Sequence, residues 1–218
     1  MPKYTTVIFD LDGTILNTLD DLADSMNYAL QYHGCATHTT EEICSYVGNG
    51  IHKLVERAVP DGSDIALTDA VHRTFAEYYA QHSADKTRPY PGINHMLAHI
   101  RNLGCKTAVV SNKGHFAVVP LCESYFPGLL DIAIGEREGI RRKPYPDSVL
   151  EVMKQLGSDS DTTLYVGDSD VDIHTAQNAG IDCVAVDWGF RSAQLLKDSG
   201  AKVIVSDVEE LLREIIGE

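Results

Sequence analysis

The sequence predicts an α/β fold in which a doubly wound parallel sheet carries an inserted α-helical domain. Short β-branched and aromatic runs, which are typical of buried strands, alternate with helical patterns from about residue 92 onward. About a hundred residues separate the first of these runs from the second, and the segment between them has helical patterns. The alternation favours a parallel sheet covered by helices, and the long helical gap indicates a second unit.

The predicted strands are short apolar runs bounded by polar or turn residues. They cover residues 6–9, 107–110, 132–134, 164–166 and 183–186, with a weaker sixth run at 203–205. Because helical patterns lie between them, including one at residues 147–156, the strands are expected to pair in parallel.

The long gap after the first strand predicts an all-helical insertion. Its helices are expected at residues 18–32, after Thr39, at 51–59 and at 68–81. Thr39 and Glu42 have the spacing of a capping box, which begins a helix. The proline-rich stretch at 88–92 ends the helical pattern. We therefore assign residues 17–87 to a helical domain, and residues 1–16 and 88–218 to the α/β core.

The composition limits the partners that the protein can have. A net charge of -14 over 218 residues argues against nucleic acid or an anionic membrane surface, although not against a small anionic substrate. No apolar run approaches the roughly 20 residues that span a bilayer, and Asp10 comes too early for a signal peptide. The five scattered cysteines include no Cys-x-x-Cys pair, so we expect a cytoplasmic protein.

Two carboxylates, Asp10 and Asp12, follow the first predicted strand directly. Open α/β sheets place their chemistry at the carboxyl ends of strands, and residues i and i+2 of an extended chain share a face. Two like charges held this close are costly unless a cation lies between them or one is protonated. One carboxylate could attack an electrophile while the other moves protons. The motif therefore predicts a catalytic cleft at this strand end.

Later strands are followed by further polar residues that could reach the same cleft. Ser111 follows the second strand, Lys143 precedes a predicted helix, and Asp168 and Asp172 follow the fourth strand. Four carboxylates and one lysine would leave about three uncompensated negative charges, of which a divalent cation would offset two. Because all the candidate ligands are oxygen atoms, Mg²⁺ is a better match than zinc.

These motifs resemble those of phosphatases in the haloacid dehalogenase superfamily. The resemblance rests on four motifs in the same order: Asp10-Leu11-Asp12-Gly13-Thr14, Ser111, Lys143-Pro144 and Gly167-Asp168-Ser169-x-x-Asp172. It implies a Rossmann-like core with a helical cap inserted after the first motif. The stretches 46–50, 54–58 and 187–191 resemble the phosphoglycolate phosphatases of that superfamily.

The resemblance implies a role for each motif. Asp10 would attack phosphorus and form an aspartyl-phosphate, and Asp12 would protonate the leaving oxygen and later deprotonate water. The metal, Mg²⁺, would be held by Asp10, the backbone carbonyl of Asp12 and Asp168, with Asp172 supporting its waters. Ser111 and Lys143 would stabilise charge on the phosphate oxygens. Contacts with phosphate or substrate are expected from Asp12, Gly13, Thr14, Ser111, Asn112, Lys143, Gly48, Asn49 and Gly50.

The expected function is Mg²⁺-dependent hydrolysis of a small phosphorylated metabolite, with 2-phosphoglycolate favoured. The alternative functions are those of a pyrophosphatase, a nucleotidase, or a phosphatase or mutase that acts on a sugar phosphate. A β-phosphoglucomutase-like enzyme would be expected to carry a histidine between Asn17 and Ala23, and this chain has none there. A regulatory protein that binds a phosphate ligand without turnover is the alternative outside the enzymes. The sequence leaves open the role of His52 and whether the protein is a monomer or a homodimer.

Overall fold

Residues 2–218 are those that the computed structural model describes. In chain order, their strands are β1 (Thr6–Phe9), β2 (Leu16–Asn17), β3 (Arg88–Pro89), β4 (Lys106–Gly114), β5 (Ile132–Glu136), β6 (Thr163–Gly167), β7 (Asp182–Val186) and β8 (Val203–Val205). Their α-helices are α1 (Leu19–Tyr32), α2 (Thr40–Tyr46), α3 (Ile51–Ala58), α4 (Ile65–His82), α5 (Ile93–Asn102), α6 (His115–Tyr125), α7 (Asp147–Leu156), α8 (Asp170–Ala179), α9 (Ala193–Asp198) and α10 (Val208–Ile216).

Two compact units share these elements. The first unit, which we call the core unit, consists of two ranges: the chain up to Leu16, and Pro89–Glu218. The second unit, Asn17–Arg88, is called the helical unit. The α/β fold class is confirmed by the parallel sheet of the core unit. The assignment of residues 17–87 to a separate domain stays a prediction.

The sheet of the core unit has the strand order β5-β4-β1-β6-β7-β8, and its paired strands run parallel. From β1 the chain continues to β4 and β5 on one side, and then returns to β6, β7 and β8 on the other side. The direction of winding therefore reverses beside β1. Such a reversal opens a crevice at the carboxyl ends of the central strands, which is where open α/β sheets bind ligands.

Both faces of the sheet are covered, as the apolar character of β1 predicts. Successive side chains of a strand point to opposite faces, so Val7 and Phe9 pack into one core layer and Ile8 into the other. The first layer contains residues of α5, α6 and α10, and the second contains residues of α7 and α8. Because both faces are packed, the position at which each strand ends beside the crevice is fixed.

The helical unit packs its four helices around buried apolar residues such as Met26, Leu54 and Phe75. The expected capping box is present at the start of α2, where Thr39 and Glu42 exchange side-chain and backbone hydrogen bonds. Near the return to the core unit, the buried Asp21 carboxylate accepts hydrogen bonds from the backbone N–H groups of Lys86 and Thr87, at 2.8 to 3.1 Å.

The structure corrects the predicted end of the second long strand. The strand was expected to stop at residue 110, but β4 continues to Gly114 because its pairing with β5 shifts register between Val110 and Gly114. Ser111 therefore lies within the strand rather than after it. β4 is otherwise apolar, and the register shift accommodates its polar side chains. Such an irregularity changes the direction in which side chains point, here at the edge of the sheet.

Two features are absent from the described residues. No helix of the described residues is both long and apolar enough to cross a membrane. In the same part of the chain, the five cysteines form no disulfide.

Candidate active site

Lys143 lies at the centre of a buried charged cluster at the carboxyl edge of the sheet. Its Nζ is 2.9 Å from Asp10 Oδ1 and donates hydrogen bonds to Asp172 Oδ1 at 2.7 Å and to the Tyr165 hydroxyl at 3.1 Å. Burial lowers the pKa of Lys143, but Asp10 and Asp172 outweigh this effect and hold it well above its ordinary value. The site therefore contains a permanent cation with almost no access to solvent.

Asp10 follows β1 and is only 8% exposed. Its Oδ1 faces Lys143 Nζ, but the angles do not form a hydrogen bond, so this buried oxygen has no hydrogen-bond partner among the described residues. Burial raises the pKa of Asp10 to about 7, and the nearby Asp172 and Asp12 add to the rise, while Lys143 opposes it. A buried carboxylate oxygen without a hydrogen-bond partner is chemically available to a cation or an electrophile.

Asp168 follows β6 and is held by both of its oxygens. Oδ1 accepts a hydrogen bond from Thr14 Oγ1 at 2.9 Å, and Oδ2 accepts one from the Phe190 backbone N–H at 2.7 Å. Burial, followed by repulsion from Asp172 and Asp10, raises the pKa of Asp168 to about 8. These contacts fix the direction of the carboxylate, while burial disfavours its charged form.

Two glycines shape the space around Asp168. A Cβ atom on Gly13 would lie 2.4 Å from Asp168 Oδ2, and one on Gly189 would lie 2.3 Å from Asp168 Cβ. Gly13 also has a φ of +86°, which side chains rarely allow. The loop after β7 is tied to the first motif as well, because Trp188 Nε1 donates a hydrogen bond to the Thr14 carbonyl at 3.1 Å. Trp188, Gly189 and Phe190 thus form one wall of the site, a role that the sequence did not reveal.

Asp172 is fully buried, and protein groups contact both of its oxygens. Oδ1 binds Lys143 as described, and Oδ2 accepts hydrogen bonds from the backbone N–H and the hydroxyl of Ser169, at 3.1 and 2.6 Å. Ser169 and Asp172 form the capping box of α8. Asp172 therefore orients Lys143 in this structure, while its expected support of metal-bound waters stays a prediction.

A second buried lysine, Lys113, was missed by the sequence interpretation. Its side chain is 3% exposed, and its Nζ lies 2.8 and 3.1 Å from the two oxygens of Asp12. The signal was present, because Lys113 directly follows Ser111 and Asn112. A lysine at the predicted end of a strand is usually solvated, so only the continuation of β4 identifies it as buried.

Ser111 and Asn112 both lie within β4, and their side chains make different contacts. Ser111 is 6% exposed, and its Oγ accepts a hydrogen bond from the Lys113 backbone N–H at 3.2 Å. The Asn112 side chain is bound at both ends to the backbone of Lys143, at 2.9 and 3.1 Å. Asn112 therefore positions Lys143 through its side chain, and any contact of Asn112 with phosphate must come from the backbone.

The carboxylates of this site form a candidate metal centre. Asp10, Asp168 and Asp172 each offer an oxygen, and these atoms lie within 4.8 Å of one another. Because Lys113 joins Lys143, the four carboxylates of the motifs exceed the lysines by two charges, not the three expected from the sequence. One divalent cation would balance that excess. The oxygen ligands and the Asp10 oxygen without a hydrogen-bond partner fit such an ion.

The remaining predicted residues belong to the helical unit. Gly48, Asn49 and Gly50 connect α2 to α3, and Asn49 Oδ1 accepts a hydrogen bond from Arg57 at 2.8 Å. His52 Nδ1 lies 2.9 Å from Glu56 Oε1 on the exposed face of α3. That this loop contacts substrate stays a prediction.

Comparisons with known proteins find similar sequences and folds. Residues 7–186 match the family model described as haloacid dehalogenase-like hydrolase. The chain is 34% identical over 212 residues to a phosphoglycolate phosphatase of Chromobacterium violaceum, covering 94% of this chain and 93% of that protein. It is 32% identical over 216 residues to a Caldanaerobacter subterraneus protein provisionally named a pyrophosphatase, covering 99% and 96%. A crystal structure from Lactobacillus delbrueckii, provisionally described as a phosphoglycolate phosphatase, has a TM-score of 0.95 at 41% identity, covering 99% of this chain and 100% of that chain.

Proposed function

Because this chain belongs to the haloacid dehalogenase-like hydrolases and is a phosphatase, we propose that it hydrolyses a small phosphomonoester through an aspartyl-phosphate on Asp10. The favoured substrate is 2-phosphoglycolate. The observation that carries this proposal is the buried Asp10 carboxylate, which has an oxygen without a hydrogen-bond partner beside the Lys143 cation. A nucleophile in this setting needs no strong base to activate it.

The first step forms one bond to phosphorus and breaks another. A carboxylate oxygen of Asp10 attacks the phosphorus atom, and the bond from phosphorus to the ester oxygen breaks. Asp12 gives its proton to that ester oxygen, so the leaving group departs as a neutral hydroxyl. Asp12 has the position for this duty, because it lies two residues beyond Asp10 with its carboxylate held by Lys113.

The second step releases phosphate and restores the enzyme. A water molecule attacks the phosphorus of the aspartyl-phosphate, Asp12 takes its proton, and the bond between phosphorus and Asp10 breaks. Lys143 and the Ser111 hydroxyl offset the charge that develops on the phosphate oxygens in both steps. Since Lys143 is anchored by Asp172 and Asn112, little reorganisation accompanies the reaction.

We propose Mg²⁺ as the cation of the site. Asp10, Asp168 and the backbone carbonyl of Asp12 would hold it, and Asp172 would act from outside the ligand set. When bound, the ion supplies charge that screens the carboxylates from an incoming phosphate. The carboxylates of the cluster are oxygen ligands of the kind that Mg²⁺ prefers.

The choice of substrate rests on the relatives. Phosphoglycolate phosphatases match nearly the whole chain, and this supports 2-phosphoglycolate. The relative named provisionally as a pyrophosphatase matches at a similar level, which makes pyrophosphate the second candidate. We expect the reaction to occur in the cytoplasm, since five cysteines without a disulfide suit a reducing compartment.

The test is phosphate release by the purified protein from a panel of phosphate compounds with Mg²⁺. The panel contains 2-phosphoglycolate, pyrophosphate, a nucleoside monophosphate, a sugar phosphate and p-nitrophenyl phosphate. We expect kcat/KM for 2-phosphoglycolate to exceed the others by about tenfold or more, a modest discrimination for a site that recognises a charged group. A preference for pyrophosphate would favour the second candidate, and no release from any compound would favour a regulatory protein that binds phosphate ligands.

The metal requirement is tested in the same assay. Excess chelator should abolish turnover, and Mg²⁺ should restore it. Calcium should restore much less, because its longer and looser coordination misplaces the attacking carboxylate. Full activity in the presence of excess chelator would contradict the proposed metal site.

A further inference from the structure

We infer that Lys113 is a specificity residue, which binds a negatively charged group on the leaving side of the substrate. The inference deepens the proposed function and rests on it, because it takes Asp12 as the group that protonates the ester oxygen. It predicts that the substrate carries an anionic group close to that oxygen, either separated from it by one carbon or bonded directly to it.

The position of Lys113 carries the first part of the argument. Its ammonium group is buried and contacts both oxygens of Asp12. If Asp12 protonates the ester oxygen, that oxygen must come within hydrogen-bond distance of the Asp12 carboxyl. In 2-phosphoglycolate one methylene joins the ester oxygen to a carboxylate, and in pyrophosphate the leaving group is itself an anion. The second anion of either substrate therefore lies near the cation that holds Asp12.

Each of the two buried lysines contacts the carboxylate that acts at one end of the substrate. Lys143 contacts Asp10, which attacks phosphorus, and it is also bound to Asp172. Lys113 contacts Asp12, which handles the leaving group. Charge on the transferring phosphoryl group thus faces Lys143, whereas charge on the leaving group faces Lys113.

The arginines between β5 and α7 form ion pairs away from Asp12. In the part of the chain that the structure describes, each arginine between β5 and α7 pairs with a carboxylate on those elements, and these pairs are Arg137–Glu151, Arg141–Asp147 and Arg142–Glu136. Asp12 forms an ion pair with Lys113. Without Lys113, an anionic leaving group would meet the Asp12 carboxylate as a like charge.

Burial makes this recognition selective. A charge contact that excludes water is stronger than one at the surface, and a site built around a charged partner rejects a neutral analogue. Wild-type protein should therefore favour 2-phosphoglycolate over 2-hydroxyethyl phosphate, which has nearly the same size but carries a neutral hydroxymethyl group in place of the carboxylate.

The experiment compares kcat/KM for these two esters in wild type, Lys113→Met and Lys106→Met. Lys106 is the matched control, because it lies at the opposite, exposed end of the same strand, where it binds the Leu156 carbonyl. We expect Lys113→Met to reduce the preference for the anionic ester about 30-fold, the size of a lost hydrogen bond to a charged group. Lys106→Met should keep the wild-type preference.

The same experiment can also overturn the inference about Lys113. If both esters lose activity by the same factor in Lys113→Met, then Lys113 only positions Asp12, and the inference is overturned. Should that variant fail to fold, the wild type and Lys113→Arg decide the matter. Lys113→Arg keeps the charge and should keep the preference, whereas a wild type that hydrolyses both esters equally well overturns the inference.

Failure of the proposed substrate has a different signature. A wild type that hydrolyses p-nitrophenyl phosphate but not 2-phosphoglycolate contradicts the substrate choice alone. The role of Lys113 is then measured with pyrophosphate and methyl phosphate, whose leaving groups differ in charge. Loss of the preference for pyrophosphate in Lys113→Met supports the inference, and an unchanged preference overturns it.

Discussion

The carboxyl edge of the sheet and the loop before α3 were both expected to meet substrate, yet they are built in different ways. At the sheet edge, Asp10, Asp168 and Lys143 are buried; Lys143 pairs with Asp10, and the charge of Asp10 raises the pKa of Asp168. In the loop, Asn49 is held by an exposed contact with Arg57. Removing one partner of a buried charged network is costly, whereas surface contacts contribute little. The sheet edge should therefore tolerate almost no change, and the loop should tolerate changes that alter the choice of substrate.

The largest expected effect is at the sheet edge. Asp10→Asn keeps the shape of the side chain but removes the nucleophile, so turnover should fall at least 100-fold while the protein remains folded. The measurement is phosphate release together with circular dichroism. Residual hydrolysis above about 1% of wild type would exclude Asp10 as the nucleophile, since single catalytic groups usually carry more than that.

The wall beside Asp168 provides the next test. Gly189→Ala places a Cβ atom where Asp168 now lies, so the carboxylate must move. We expect the Mg²⁺ affinity, measured by calorimetry without substrate, to fall about 10- to 100-fold, as for other groups that orient metal ligands.

The matched control comes from the helical unit. Gly34→Ala adds a Cβ that meets nothing within 4 Å, although its φ of +70° makes the substitution strained. It should lower stability without changing Mg²⁺ affinity. Equal loss of affinity in the two variants would mean that the wall around Asp168 has no special role.

The loop should show a smaller and more selective effect. Gly50 has a φ of +82°, so Gly50→Val distorts the turn before α3. We expect KM for 2-phosphoglycolate to rise by about tenfold, with a smaller change for p-nitrophenyl phosphate, which should use fewer contacts of the loop. If kcat/KM falls by the same factor for both esters, the loop does not select substrates, and closure that excludes water becomes the better explanation.

The smallest effect concerns stability and pH. With the pKa of Asp10 raised to about 7 and that of Asp168 to about 8, the folded, metal-free protein binds more protons than the unfolded chain at intermediate pH. These two groups therefore stabilise the fold at low pH, and their contribution is lost as pH rises through about 7 to 8. Since protons and Mg²⁺ compete for the same oxygens, Mg²⁺ should raise Tm by about 3–6 °C more at pH 8.5 than at pH 6. A shift independent of pH, or one retained in Asp168→Asn, would contradict this linkage.

The central strands and most of the charged site could be predicted because they leave local signals. β1 and β8 have the limits that their apolar runs predict, and α7 begins and ends as expected. Asp10, Lys143, Asp168 and Asp172 could be grouped because strand ends converge in a parallel sheet.

The rest depends on contacts that no local pattern carries. The burial of Lys113 follows from the register shift of β4 against β5, and the role of Gly189 follows from a contact with a residue 21 positions earlier, Asp168. Each of these features is set by a neighbour distant in sequence.

The hydrogen bonds of Asp21 have a consequence for the evolution of the chain. Asp21 lies in the first turn of α1 and holds the backbone of Lys86 and Thr87, so the two ends of the helical unit are brought side by side. An insertion whose ends already lie together adds little loop-closure entropy to its host. Such a unit can be lengthened, shortened or exchanged between genes while the sheet that carries the chemistry folds as before. One buried carboxylate thereby makes the inserted segment a replaceable module.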